Sequence, residues 1–238
     1  MAGHSQFKNI MHRKGAQDAK RAKAFTKLIR ELTVAAQAGD DPTSNPRLRT
    51  AIISAKSANM PKDTMERAIK RGSGGDDTAQ YAEMRYEGYG PSGVALIVEA
   101  LTDNRNRTAA EVRATFNKLG GNLGEAGSVS YLFTHEGRIA YSQEIAEDEL
   151  LESALALGAL DMVSFEDTFH IITLREDWLT VREALEKKFG APLHAAVVWT
   201  PQTTVTLNAE SQNTVKKLIN TLEDNDDVQS VWHNVEDL

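Results

Sequence analysis

Residues 138–200, RIAYSQEIAEDELLESALALGALDMVSFEDTFHIITLREDWLTVREALEKKFGAPLHAAVVWT, switch between alternating and helical hydrophobic periods in an order that decides the fold. Arg138 to Tyr141 reads as a strand and Ile145 to Leu157 as a helix; Asp161 to Phe165 and Thr168 to Leu174 read as two further strands. Trp178 to Phe189 is a second helix and Ala195 to Thr200 a fourth strand. That order, βαββαβ, is the ferredoxin-like split unit, in which two helices cover one face of a four-stranded antiparallel sheet.

Working outward, Val94 to Leu101 reads as strand, Thr108 to Leu119 as helix and Ser128 to Phe133 as strand, while Thr203 to Leu207, Thr214 to Leu222 and Val228 to His233 read as strand, helix and strand. Neither half is complete alone, but together they form a second βαββαβ. The predicted class is therefore α+β, with one ferredoxin-like domain inserted into another, and Met84 to Glu87 an extra strand leading into the outer one.

Residues 16–38 form a long amphipathic helix with Ala22, Phe25, Leu28, Ile29, Leu32, Ala35 and Ala36 on one stripe. Lys20, Lys23, Lys27 and Arg30 fall within about an 80° arc on the other side, a cationic rail opposite the core. Asn45-Pro46 opens a second helix with Leu48, Ala51, Ile52 and Ala55 on one face, and Pro61 a third with Met65, Ala68 and Ile69. The third stops at Gly72, a residue suited to the left-handed conformation after a helix end. The three helices make a small bundle, and GSGGDD, Gly72 to Asp77, marks its boundary. Three domains follow: a basic helical nucleic-acid-binding domain at 1–75, a discontinuous ferredoxin-like domain at 78–134 with 202–238, and the inserted one at 135–201.

At 238 residues the chain has room for one to two domains, or three small ones, and 41% hydrophobic with 26% charged residues excludes collagen-like and largely disordered chains. The absence of cysteine excludes disulfides, thiolate metal sites and a cysteine nucleophile. Apolar runs such as Val94 to Val98 fall far short of the roughly 18 residues of a membrane helix, and the polar N-terminus has no signal-peptide core, so no membrane partner and a cytoplasmic location are expected.

Six histidines, His4, His12, His135, His170, His194 and His233, show no HxxH or HExxH spacing, so no metal is expected. Gly120, Gly121 and Gly124 follow a helix and precede a strand, the reverse of a phosphate-binding turn, and read as a helix stop. The acidic groups Glu147 to Glu149 and Glu223 to Asp227 read as helix-start charges and a solvated turn. No nucleophile elbow is present, and neither catalytic residues nor a cofactor are expected.

The net charge of −7 is unevenly spread: residues 1–71 hold 15 Lys and Arg against 6 Asp and Glu, a net of +9, and the remainder carries −16. A basic head on an acidic body points to a protein that meets a polyanion with one end. The candidate nucleic-acid contacts are Gly3, His4, Ser5, Lys8, His12, Arg13 and Lys14 in a polar N-terminal tail, followed by Lys20, Arg21, Lys23, Lys27 and Arg30 on the first helix. A second cluster, Asn104, Arg105, Asn106 and Arg107, lies between strand and helix; it suits either ligand contact or helix capping, with Asn106 the cap and Asp103 a local partner for an arginine. Arg47 to Ala58 and Pro61 to Arg71 resemble a helix-turn-helix whose second helix offers Lys62, Arg67, Lys70 and Arg71. The sheets lack the aromatic signature of an RNA-recognition motif.

The blocks MAGHS, HRKGAQDAKRAK, FTKLIRELTVAA, NPRLR, NMPKDTMERAIKRG, YEGYGPSGVA, DNRNRT, GGNLGEAGSVSYLF and DDVQSVWHN, in this order over the whole length, resemble the YebC/PmpR family. The resemblance implies a helical N-terminal domain followed by two α+β domains. It also implies a gene-expression regulator, described for the family either as a DNA-binding transcriptional regulator or as a ribosome-associated factor that relieves stalling, notably at consecutive prolines; mitochondrial relatives act as translational activators. Gln6-Phe7 stands where relatives often have Lys-Trp, which removes a cation and an indole. The expected partner is nucleic acid, either ribosomal RNA in the ribosome or duplex DNA, with a protein partner on the acidic domains. A small-molecule sensor with a ligand between paired ferredoxin-like domains is the alternative of another class.

Overall fold

The computed structural model describes residues 18–74, 81–236 and 238. Their contacts group them into two compact units, one of 18–74, 81–130 and 207–233 with Leu238, the other of 131–206 with 234–236.

In the first unit, helices α1 (Asp18–Ala36), α2 (Pro46–Ser57) and α3 (Lys62–Ser73) enclose a core of Leu32, Ala35, Leu48, Ala51, Ala55, Met60, Met65 and Ala68. Phe25, Leu28, Ile29, Ile52 and Ile69 pack against it, as the apolar stripes require. Asn45 joins two helices: its side chain caps α2 by accepting from the Leu48 amide at 3.0 Å and donates to the Ala35 and Gly39 carbonyls, each at 2.7 Å. Gly72 departs from the expected role. It lies inside α3 and is not left-handed; a Cβ built there would overlap the Thr33 carbonyl oxygen of α1. Close approach of two helix backbones, rather than a helix stop, is what requires glycine here.

The first sheet contains β1 (Ala82–Tyr89), β2 (Ala95–Thr102), β3 (Asn122–Leu123) and β8 (Val228–His233) in the order β3-β1-β2-β8, all neighbours antiparallel. Helix α4 (Arg105–Lys118) links β2 to β3 and ends at Gly120, whose φ of 78° confirms a helix stop. Helix α7 (Ala209–Glu223) leads into β8. The sheet is four-stranded and antiparallel as expected, but two expected strands are absent, and β1 beside β2 with the short β3 at the edge take their places. Residues 130–132 form a 3-10 turn where a strand over 128–133 was predicted, and residues 203–207 contribute only an isolated bridge from Val205 to Val235. Met84 to Glu87, predicted as a lead-in, belongs to the inner strand β1.

The physical reason lies with Glu87. Its buried carboxylate accepts the Val129 amide at 3.0 Å and the Ser130 amide at 2.8 Å, so those donors are held by a side chain instead of a strand neighbour. Burial pushes the Glu87 carboxyl up, but the backbone hydrogen bonds outweigh it and hold the group below the ordinary glutamate value.

The second unit follows the sequence reading closely. Strand β4 (Phe133–Ser142), helix α5 (Glu147–Ala156), β5 (Asp161–Phe165), β6 (Thr168–Leu174), helix α6 (Trp178–Phe189) and β7 (His194–Pro201) give the antiparallel order β5-β6-β4-β7. Ile139, Tyr141, Leu150, Ala154, Phe169, Ile171, Val181 and Leu185 form the core between sheet and helices. The polar members of the sheet are satisfied in place: Glu136 takes Arg138 Nε at 2.6 Å and the Thr200 hydroxyl at 2.7 Å.

Candidate nucleic-acid interface

The candidate residues Gly3, His4, Ser5, Lys8, His12, Arg13 and Lys14 lie outside the described residues. Lys20 and Arg21 fall in the first turn of α1, with side chains outside the described set. The remaining cations of that helix can be placed, and they do not stand open to solvent as a rail.

Helix α7 carries no basic residue in its last turn, yet the chain there reads Glu223-Asp224-Asn225-Asp226-Asp227. Carboxylates are thus gathered where the helix dipole is already negative. The compensating charge comes from α1. Lys23 Nζ lies 2.7 Å from Asp224 Oδ1, and Lys27 Nζ donates to the Glu223 carbonyl at 3.2 Å. Arg30 Nη1 donates to Asp227 Oδ1 at 2.8 Å and to the Asp226 carbonyl, while its guanidinium lies 5.8 Å from the centre of the Tyr81 ring. The spacing 23, 27, 30 keeps all three on one face of the helix. Burial in this contact pushes the Lys27 ammonium below its ordinary value, although Glu223, Asp226 and Asp224 pull the other way.

Asp227 is the centre of the arrangement. Its side chain is 5% exposed, and its second oxygen takes Arg107 Nη2 at 2.7 Å and the Thr108 hydroxyl at 2.6 Å, with the Thr102 hydroxyl at 3.2 Å. Burial pushes this carboxyl up; hydrogen bonds from Arg107 and Thr108 and the charges of Arg30 and Arg107 outweigh it and hold the group below the ordinary aspartate value. One carboxylate therefore joins α1, the β2–α4 connection and the α7–β8 turn. The expected solvated turn at Glu223 to Asp227 is instead a structural clamp. Arg47 adds a second tie, bridging Glu31 of α1 and Glu83 of β1.

The second predicted cluster divides. Asn104, not Asn106, caps α4, accepting the Arg107 amide at 3.1 Å. Arg107 is committed to Asp103 at 2.9 Å and to Asp227, which raises its already high basicity. Arg105 and Asn106 are exposed on the first turn of α4.

On α3, Lys62 pairs with Glu66 at 3.6 Å and Arg67 with Asp63 at 3.0 Å, both exposed neighbours along the helix. Lys70 and Arg71 occupy its last exposed turn and make no ion pair among the described residues. Lys56, in the last turn of α2, is exposed as well. The outward cations of the described part of the head thus include Lys56, Lys70 and Arg71 near the C-terminal ends of α2 and α3, together with Lys62 and Arg67, which share exposed pairs along α3. Among the described residues no group of three His, Asp or Glu is placed to hold a metal ion. No described helix is long and apolar enough to cross a membrane.

The Asp227 partnership escaped sequence reading because its members lie far apart in the chain. Its one local trace was a helix ending in a run of acids with no cation in its last turn. Such an end calls for positive charge from elsewhere.

The fold is shared beyond this chain. A crystal structure of a conserved hypothetical protein from Aquifex aeolicus is 49% identical and superposes with a TM-score of 0.82, covering 93% of this chain and 92% of that one. The family model of the TACO1/YebC N-terminal domain matches residues 5–75. That of the TACO1/YebC second and third domain, a transcriptional-regulator model, matches residues 81–235. With a helical head, two four-stranded antiparallel sheets and both models matched in succession, this chain belongs to the TACO1/YebC family.

Proposed function

We propose that this protein is a non-catalytic, cytoplasmic, nucleic-acid-binding regulator of gene expression that contacts ribosomal RNA and acts in translation, relieving stalled ribosomes. The observation that carries this reading is the segregation of charge, +9 over residues 1–71 against −16 over the rest. A polyanion is attracted to a net-positive segment and repelled by a net-negative one, so the head, residues 1–75, is the part that meets RNA, through the cations that the acidic turn leaves open. A basic tail with the small residues Ala2, Gly3 and Ser5 at its tip suits a narrow RNA cavity better than a duplex groove. The duplex-DNA reading draws support from the exposed α3 with Lys70 and Arg71 at its end.

Both readings expect phosphate contacts from those two cations. Replacing Lys70 and Arg71 by alanine is expected to weaken binding across all sequences and to lower the slope of log affinity against log salt by about one to two units. Filter binding on an RNA hairpin and a DNA duplex, each over a range of salt, measures both effects; an unchanged slope in a folded variant removes α3 from the interface.

A further inference from the structure

The acidic turn 223–227 meets α1 in the manner of a polyanion. Within five residues it offers the carboxylates of Asp224 and Asp227 and the carbonyls of Glu223 and Asp226 to the successive cations Lys23, Lys27 and Arg30. Two of these acceptors are anionic and the Glu223 carbonyl sits at the negative end of a helix dipole, the kinds of acceptor a phosphate backbone would replace. The contact is graded. At its outer end Lys23 and Asp224 are 35% and 75% exposed, and exposed pairs of this kind hold weakly; at its inner end Arg30 and Asp227 are 19% and 5% exposed.

We propose that this turn is an internal stand-in for phosphate: it occupies the Lys23, Lys27 and Arg30 face of α1 and keeps nucleic acid off it until a phosphate backbone displaces the turn from its exposed Asp224 end. The inference rests on the nucleic-acid reading above and assigns a regulation to it. Asp227, anchored by Arg107 and Thr108, stays in place and acts as the fixed end of the turn. The head then has two affinities, a weaker one from its open cations and a stronger one in which Lys23 and Lys27 join while Arg30 stays on Asp227.

The test uses the full chain, a labelled RNA hairpin as probe, and a variant with Asp224→Asn and Asp226→Asn, both exposed positions that leave Asp227 intact. A control variant with Glu147→Gln and Asp148→Asn removes the same charge from exposed positions of α5. The turn variant is expected to bind about tenfold more tightly than wild type, with a salt slope steeper by about one to two units, while the control changes affinity little. Adding Lys23→Ala and Lys27→Ala to the turn variant is expected to abolish the gain. A gain no larger than the control's, or one that survives loss of both lysines, overturns the inference and leaves the nucleic-acid reading standing. Absence of binding by wild type and by every variant overturns both; binding by the turn variant alone supports a fully closed face.

Discussion

Replacing Asp227 by asparagine is expected to lower the unfolding free energy of the helical head and first sheet by about 2–4 kcal/mol, as measured by urea unfolding. The carboxylate is buried and is held by Arg30, Arg107 and Thr108 at once. Asparagine keeps the shape but removes the charge, and its amide group turns N–H donors toward guanidinium donors. Arg30 is then left largely buried without its counter-charge, which is why the expected loss exceeds that of a surface pair. The same substitution changes the response to acid. The Asp227 carboxyl has a folded-state pKa below its ordinary value, so its contribution is present above about pH 4 and is lost as pH falls toward the depressed value. Wild type therefore loses stability between about pH 5 and 3 more steeply than the asparagine variant. Equal slopes would show that Asp227 does not carry the clamp.

The second large effect is expected at Glu87. Alanine there leaves the amides of Val129 and Ser130, both held by one carboxylate oxygen, without their acceptor, and the expected loss is about 2–3 kcal/mol. Because the two amides belong to the segment that takes a turn in place of a strand, the effect is local as well as global. Hydrogen exchange at Val129 and Ser130 is expected to accelerate beyond exchange in β2, and uniform acceleration throughout the sheet would contradict this role.

These two carboxylates also explain where the sequence was legible and where it was not. In the second sheet, β5, β6 and α6 begin and end where the hydrophobic period changes, because their donors and acceptors are satisfied by neighbouring strands or within the helix. Over Ser128 to Phe133 the sequence alternates as a strand would, yet the Val129 and Ser130 amides are taken by Glu87, more than forty residues earlier. The sheet is completed instead by β1, which pairs with β2 through a short turn at Pro91–Gly93, and by the short β3 at its edge. The cationic face of α1 was legible from its spacing, but its acidic counterpart was not. Lys23 and Asp224 are separated by 201 residues, and no local pattern couples them. Likewise the composition marks Gly72 as a punctuating residue, whereas its cause is the Thr33 carbonyl on another helix.

The proposed action of the basic head is to bring this protein to ribosomal RNA. Its most direct test is sedimentation of the full chain with purified ribosomes over increasing salt, beside a duplex-DNA competition. Co-sedimentation at low salt that falls steeply as salt rises, and that duplex DNA fails to compete away, is the predicted result. Free protein at every salt concentration, or complete transfer to the DNA duplex, would contradict it.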